Sequence, residues 1–186
     1  MEPVNVRRAD LADADLVIAI LEAAAACHGR PQWPRTAVER GLHEDNTLLG
    51  YHHDQPVATA TLQRSDTAIW GSVATPAAMY LHRLAASISG HGFGAAMLGA
   101  CEEQARAAGA DFLRLDCASE SDGLRQYYCE HGYAQLREVE VHGWRLTLFE
   151  KRLRQARLSP SIQDEELEDA LLQARGTRTG HAEADA

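Results

Sequence analysis

Lysine is almost missing from this chain: Lys151 is the only one in 186 residues, and the other basic residues are arginines. The 18 basic residues face 27 acidic ones, for a formal net charge of −9 and a pI near 5.4. A protein that grips a phosphate backbone needs a basic face to release counterions, so no nucleic acid partner is expected. Long hydrophobic runs are missing too. No stretch approaches the roughly 18 apolar residues of a membrane span, and Met1-Glu2-Pro3-Val4 lacks a charged segment followed by an apolar one. No membrane partner is expected, and a cytoplasmic location follows by default. Cysteine is sparse. Cys27, Cys101, Cys117 and Cys129 form no C-x-x-C pair, which points to reduced, mostly buried thiols, not to disulfides or a zinc site. His52 and His53, adjacent beside a turn, would point to opposite faces of a strand and are read as surface residues. No metal is expected.

What is present is an ordinary globular composition, with 45% hydrophobic and 24% charged residues, in a length that suits one domain. The alanine-rich, lysine-poor bias matches a GC-rich bacterial genome and carries no mechanism.

Val4 to Arg7 alternates as a strand does. Asp10 can cap a helix whose apolar positions Leu11, Leu16, Ile20 and Leu21 run to Gly29. Pro34 and Thr36 can open a second helix to about Leu42. Thr47–Tyr51 and Val57–Leu62 read as strands around a turn at His53-Asp54-Gln55-Pro56. A loop from Ser65 to Pro76 precedes a strand at Met79–Ala86, a glycine-rich segment Gly90–Gly94, and a helix over Ala95–Ala108 closed by Gly109. Phe112–Cys117 is the next strand, and Asp122 can cap a helix carrying Leu124, Tyr127 and Tyr128 that ends at Gly132. Two last strands fit Tyr133–Val141 and Trp144–Phe149. This order predicts an α/β or α+β layer fold around one mixed sheet.

The domain is expected to span 1–154. Residues 155–186 hold seven acidic and three basic residues and read as an acidic tail, with an amphipathic helix at 163–175 built on Leu167, Leu171 and Leu172 and disorder after it.

A strand that runs into Ser89-Gly90-His91-Gly92-Phe93-Gly94 and opens a helix presents backbone N–H groups and a positive helix end, which suits a pyrophosphate. Alone, such a segment reads better as a plain glycine turn. A dinucleotide fingerprint is excluded because G-x-G-x-x-G is absent and no early strand-loop-helix unit precedes a ribose-binding acid. A Walker loop is excluded for want of Gly-Lys-Ser/Thr.

The loop resembles the acetyl-CoA loop Gln/Arg-x-x-Gly-x-Gly/Ala of the GNAT acetyltransferases. About 35 residues on, Leu124-Arg125-Gln126-Tyr127-Tyr128-Cys129-Glu130-His131-Gly132-Tyr133 resembles that family's second signature. The resemblance covers roughly Val4 to Leu153. It implies a central mixed, mostly antiparallel sheet flanked by helices, with two central strands splayed apart, and acetyl-CoA as cosubstrate. It implies that backbone groups of Leu84 and Ala86 pair with the pantetheine arm, that His91, Gly92, Phe93, Gly94 and Ala95 hold the pyrophosphate, and that Ser89 and Gly90 belong to the same cofactor-binding loop. Ser121 stands where an asparagine often touches the cofactor, and Ser89 where Gln or Arg is usual. Tyr128 matches the tyrosine that protonates the leaving thiolate. The reaction implied is direct attack by a primary amine of a small molecule or peptide.

His82 and Asp116 lie on strands that would flank the site, where either can relay a proton or serve structure alone. Trp33, Trp70 and Trp144 can line an acceptor pocket or close a core; Tyr127 is assigned to the core. Cys27–Leu42 and the Ser65–Pro76 loop are the expected walls of the acceptor site. Two other readings stay open: a non-catalytic acyl-CoA-binding module, and an interaction protein whose tail helix docks a partner or a second copy in a homodimer.

Overall fold

The computed structural model describes residues 4–28, 33–44 and 46–154, which lie in one compact unit; the tail and its 163–175 helix lie outside the described residues. Among the described residues, seven strands form one sheet: β1 (Asn5–Arg8), β2 (Thr47–His52), β3 (Gln55–Gln63), β4 (Ala78–Ala86), β5 (Phe112–Ala118), β6 (Ala134–Val141) and β7 (Trp144–Arg152). Their order is β1-β2-β3-β4-β5-β7-β6, and every neighbouring pair is antiparallel except β4 with β5. Five α-helices flank it: α1 (Ala14–His28), α2 (Arg35–His43), α3 (Thr67–Trp70), α4 (Phe93–Ala107) and α5 (Asp122–Glu130).

The sequence reading holds for most elements and misses at their ends. Asp10 does cap, but the turn it caps is a 3-10 turn over Leu11–Asp13 that leads into α1. The β2–β3 hairpin turns on two residues, His53 and Asp54, both at positive φ; Gln55 and Pro56 already belong to β3. The expected loop after Ser65 contains α3 and a further 3-10 turn at Gly71–Val73. Ser121, not Asp122, is the residue that precedes α5.

Side-chain alternation divides the core between two faces. On one face Met79, Leu81, Leu113, Leu115 and Phe149 pack against Met97, Leu98 and Cys101 of α4 and Tyr128 of α5. On the other, Leu49 and Ala85 meet Val17, Ile20, Val38 and Leu42 of α1 and α2, and Tyr80 meets Trp70 of α3. Cys101 and Cys117 are buried as expected, whereas Cys129 is exposed because it lies on the outer side of α5.

The phase of β4 changes partway along. Thr61 pairs with His82 but Thr59 pairs with Ala85, so one residue of β3 faces two of β4 and Arg83 bulges, at φ +53°. Odd-numbered Met79 and Leu81 face α4 before the bulge; even-numbered Leu84 and Ala86 do so after it. The ladder to β5 stops at the same place: it joins Ala78–Leu81 to Phe112–Leu115 and goes no further, while β5 continues to Ala118 paired with β7 alone. The two central strands therefore part beyond Leu81 and Leu115.

Candidate active site

Immediately beyond the parted strands the chain turns through the glycine segment into α4. Gly90 and Gly92 have φ of +81° and +77°, a region where a Cβ clashes with its own backbone, and Gly92 is the residue that precedes the helix. No side chain among the described residues caps that helix end, so its first backbone N–H groups have neither an intrahelical acceptor nor a side-chain cap. His91 stacks on Phe93 with ring centroids 5.7 Å apart, and His52 lies 5.2 Å from the same ring. His52 and His53 come together at 4.1 Å instead of pointing apart, because His53 sits in the turn and not in the strand.

Helix α5 brings two tyrosines to this region with different surroundings. Tyr128 is buried, its ring 5.6 Å from Phe149 and 6.0 Å from Tyr133. Tyr127 is half-buried, and its hydroxyl reaches the start of α4: a methyl group at Gly94 would lie 3.6 Å from that oxygen. The Tyr127 hydroxyl is buried without a hydrogen-bond partner among the described residues, and burial pushes its pKa up to about 12, so it stays a protonated donor. Tyr127 packs against the core as the sequence suggested, but its oxygen belongs to the loop. Only the pairing of α5 against α4 could reveal that.

Glu102 fixes these helices to the sheet. Its carboxylate accepts from Lys151 Nζ at 2.8 and 2.9 Å and from the Tyr133 hydroxyl at 3.2 Å, and Lys151 also donates to the carbonyl of His131 at 2.8 Å. The lone lysine thus ties α4, the end of α5 and β7 together. Burial, with the Glu102 charge next, holds the Tyr133 phenol protonated.

On the opposite face, His82 of β4, Asp116 of β5 and Asp66 converge from three elements, with ligand-type atoms all within 4.8 Å of one another. Asp66 is the residue the sequence reading missed. One of its oxygens accepts from the Ile69 N–H and starts α3; the other lies 3.5 Å from Nε2 of His82. Burial lowers the His82 pKa, Asp66 partly restores it, and Arg83 lowers it further, so the ring is neutral at pH 7. Such a donor set can hold a proton or a cation. Arg114 holds the α3 segment in place: it donates to Val73 O at 2.6 Å and to Glu150 at 2.7 Å, and its guanidinium lies 4.7 Å from the Trp70 ring centroid. Of the three tryptophans, Trp70 closes the core, while Trp33 and Trp144 are exposed.

Leu84 and Ala86 lie on the diverging part of β4, beyond the last residue that pairs with β5. The parting strands thus have the uncapped start of α4 and the Tyr127 hydroxyl on one face and an acid-histidine cluster on the other. The family model described as "Acetyltransferase (GNAT) family" matches residues 17–133. The chain is 28% identical over 138 residues to the uncharacterized N-acetyltransferase YesJ of Bacillus subtilis, covering 67% of this chain and 75% of that one. Its fold matches the ribosomal-protein-S18-alanine N-acetyltransferase of Escherichia coli with a TM-score of 0.68 at 13% identity, over 84% of this chain and 97% of that one. It also matches yncA, a putative acetyltransferase of Salmonella typhimurium crystallised with acetyl-CoA, with a TM-score of 0.62 at 14% identity, over 83% and 96%. The chain belongs to the GNAT family of acetyltransferases. No described helix is long and apolar enough to cross a membrane.

Proposed function

We propose that this protein moves an acetyl group from acetyl-CoA to a primary amine of a small molecule or peptide by direct attack. The observation that carries the reading is the parting of β4 and β5 beyond Leu81 and Leu115, in line with the glycine turn that opens α4. Backbone groups of Leu84 and Ala86 are offered to the pantetheine arm as a strand would be. His91, Gly92, Phe93, Gly94 and Ala95 hold the pyrophosphate, with Ser89, Gly90 and Ser121 as further cofactor-binding residues. The orphaned Tyr127 hydroxyl suits an acceptor oxygen of the same ligand. Acetyl-CoA supplies an activated thioester carbonyl.

The amine enters from the face of His82 and Asp116. His82, neutral because it is buried, accepts the ammonium proton; Asp66 and Asp116 steady the imidazolium that results. Tyr128 holds the proton that the departing sulfur takes up. No metal is required for these steps.

The experiment is turnover of acetyl-CoA by the full chain against a panel of primary amines, followed by thiol release. Transfer that falls in Tyr128→Phe while acetyl-CoA binding persists supports the enzyme. Tight acetyl-CoA binding with no turnover on any amine overturns it in favour of a non-catalytic acyl-CoA-binding module. Ser89 and Ser121, in place of the family's usual Gln or Arg and Asn, speak for that second reading.

A further inference from the structure

Arg83 is held at a double cost. A non-glycine residue at φ +53° carries backbone strain. Its guanidinium is also partly buried without an ion pair to any described residue. Its only hydrogen bond among the described residues is a long one, 3.4 Å from Nη1 to Thr61 Oγ1, and its Nε is buried with no partner. Burial and the nearby Arg40 both work against its charge, and Glu44 only partly offsets them. Partly buried arginines are normally paired.

The surroundings of Arg83 are arranged to keep it there. Gly41 of α2 makes room: a Cβ at that position would lie 3.0 Å from Nη1. The ring of exposed Trp33 lies 5.1 Å from the guanidinium carbon, a cation–π contact that holds the plane while leaving its N–H edge for another partner. The bulge also sets direction. His82 lies opposite Thr61 in the ladder, and the Arg83 guanidinium reaches the same Thr61 and then α2. The face that receives the amine is therefore bipolar. Asp66 and Asp116 lie on the β5 side of His82, and Arg83 lies on the β3 and α2 side.

We propose that Arg83 is an anion-recognition residue and that the acceptor is a primary amine carrying a carboxylate, its ammonium at His82 and its carboxylate at Arg83. This rests on the amine entering at His82, as argued above. The fork of Arg83 donates two N–H groups to the carboxylate, which supplies the counter-charge that no ion pair among the described residues provides. The strained bulge serves to bring two consecutive side chains, one a base and one a cation, to one face of one strand. An arginine that merely filled space under α2 would not need its charge.

The test is calorimetric titration of the CoA-saturated full chain with glycine, β-alanine, 4-aminobutanoate and 5-aminopentanoate, each beside its carboxamide. At least one carboxylate should bind about 10-fold or more tightly than its amide, as expected for a charge-assisted bidentate contact. The preference should vanish in Arg83→Met and weaken in Arg83→Lys, with acetyl-CoA affinity unchanged in both. Arg83→Lys keeps the charge and serves alone if Arg83→Met does not fold. Equal binding of acids and amides, no binding by any of them, or a preference that survives substitution overturns the proposal. Because no turnover is needed, an acid-selective site in a protein without transferase activity refutes the enzyme reading and not this one. Turnover of neutral amines alone does the reverse.

Discussion

Nε2 of His82 lies 3.5 Å from Oδ2 of Asp66, and neither atom has a hydrogen-bond partner among the described residues. The pair is spaced to stabilise a proton on the ring without holding one at rest. Burial sets the His82 pKa below its ordinary 6.5, so kcat/KM should stay level above pH 7 as far as this group is concerned and fall along an acid limb below 6.5. Asp66 raises that pKa, so Asp66→Asn should shift the limb to still lower pH and slow transfer roughly 10-fold or more. A pH profile of both proteins decides it; an unmoved limb would remove Asp66 from the relay.

The same shift has a sign for stability. His82 binds its proton more weakly folded than unfolded, so stability should be complete above pH 6.5 and decline as the pH falls from there toward the folded value. Thermal melts between pH 8 and 5 should show wild type losing more than His82→Gln.

Gly90 and Gly92 occupy positive φ, whereas Gly99 lies inside α4 with nothing within 4 Å of where its Cβ would be. Alanine should therefore act in opposite directions. Gly92→Ala should lower stability by about 1 kcal/mol and weaken acetyl-CoA binding, because the N–H groups at the helix start re-aim. Gly99→Ala should raise stability by roughly 0.5–1 kcal/mol and leave binding alone. Melting and titration of the two variants check both halves.

Adjacent tyrosines should separate binding from chemistry. Tyr127→Phe removes a buried hydroxyl beside Gly94 that is unpaired among the described residues, so it should leave the free protein as stable as before or more so, and weaken acetyl-CoA binding. Tyr128→Phe should preserve that binding and reduce turnover by about 100-fold. Equal effects on both quantities in both variants would contradict the assignment.

Lys151 is the only lysine, and it is a structural residue. Lys151→Met should cost roughly 2–3 kcal/mol, because Glu102 would keep a buried charge with Arg106, at 3.3 Å, as its one remaining ion-pair partner among the described residues. Urea unfolding measures it.

Much of this was legible in the sequence because local chemistry coincides with the fold. The strand, glycine turn and helix around Gly90–Gly94 and the Tyr127–Gly132 helix end are written in consecutive residues. The register along β4 was not legible. Nothing in Leu81-His82-Arg83-Leu84 announces a bulge, since arginine is an unusual occupant of φ +53° and the bulge depends on pairing with β3. Asp66 was missed for a related reason: it reads as a loop residue that starts a helix, and it meets His82 only because Arg114 and Trp70 hold the α3 segment against the sheet. The His52–His53 contact was misjudged because the turn is two residues long, not four.

The most direct test of the central claim is calorimetric titration of the full chain with acetyl-CoA, with desulfo-CoA and ATP as comparison ligands. The account predicts saturable one-to-one binding of acetyl-CoA at micromolar strength, weakened in Gly92→Ala and indifferent to Arg83→Met. No binding up to millimolar concentration would contradict it, leaving the parted strands and the glycine turn without the ligand they are proposed to hold.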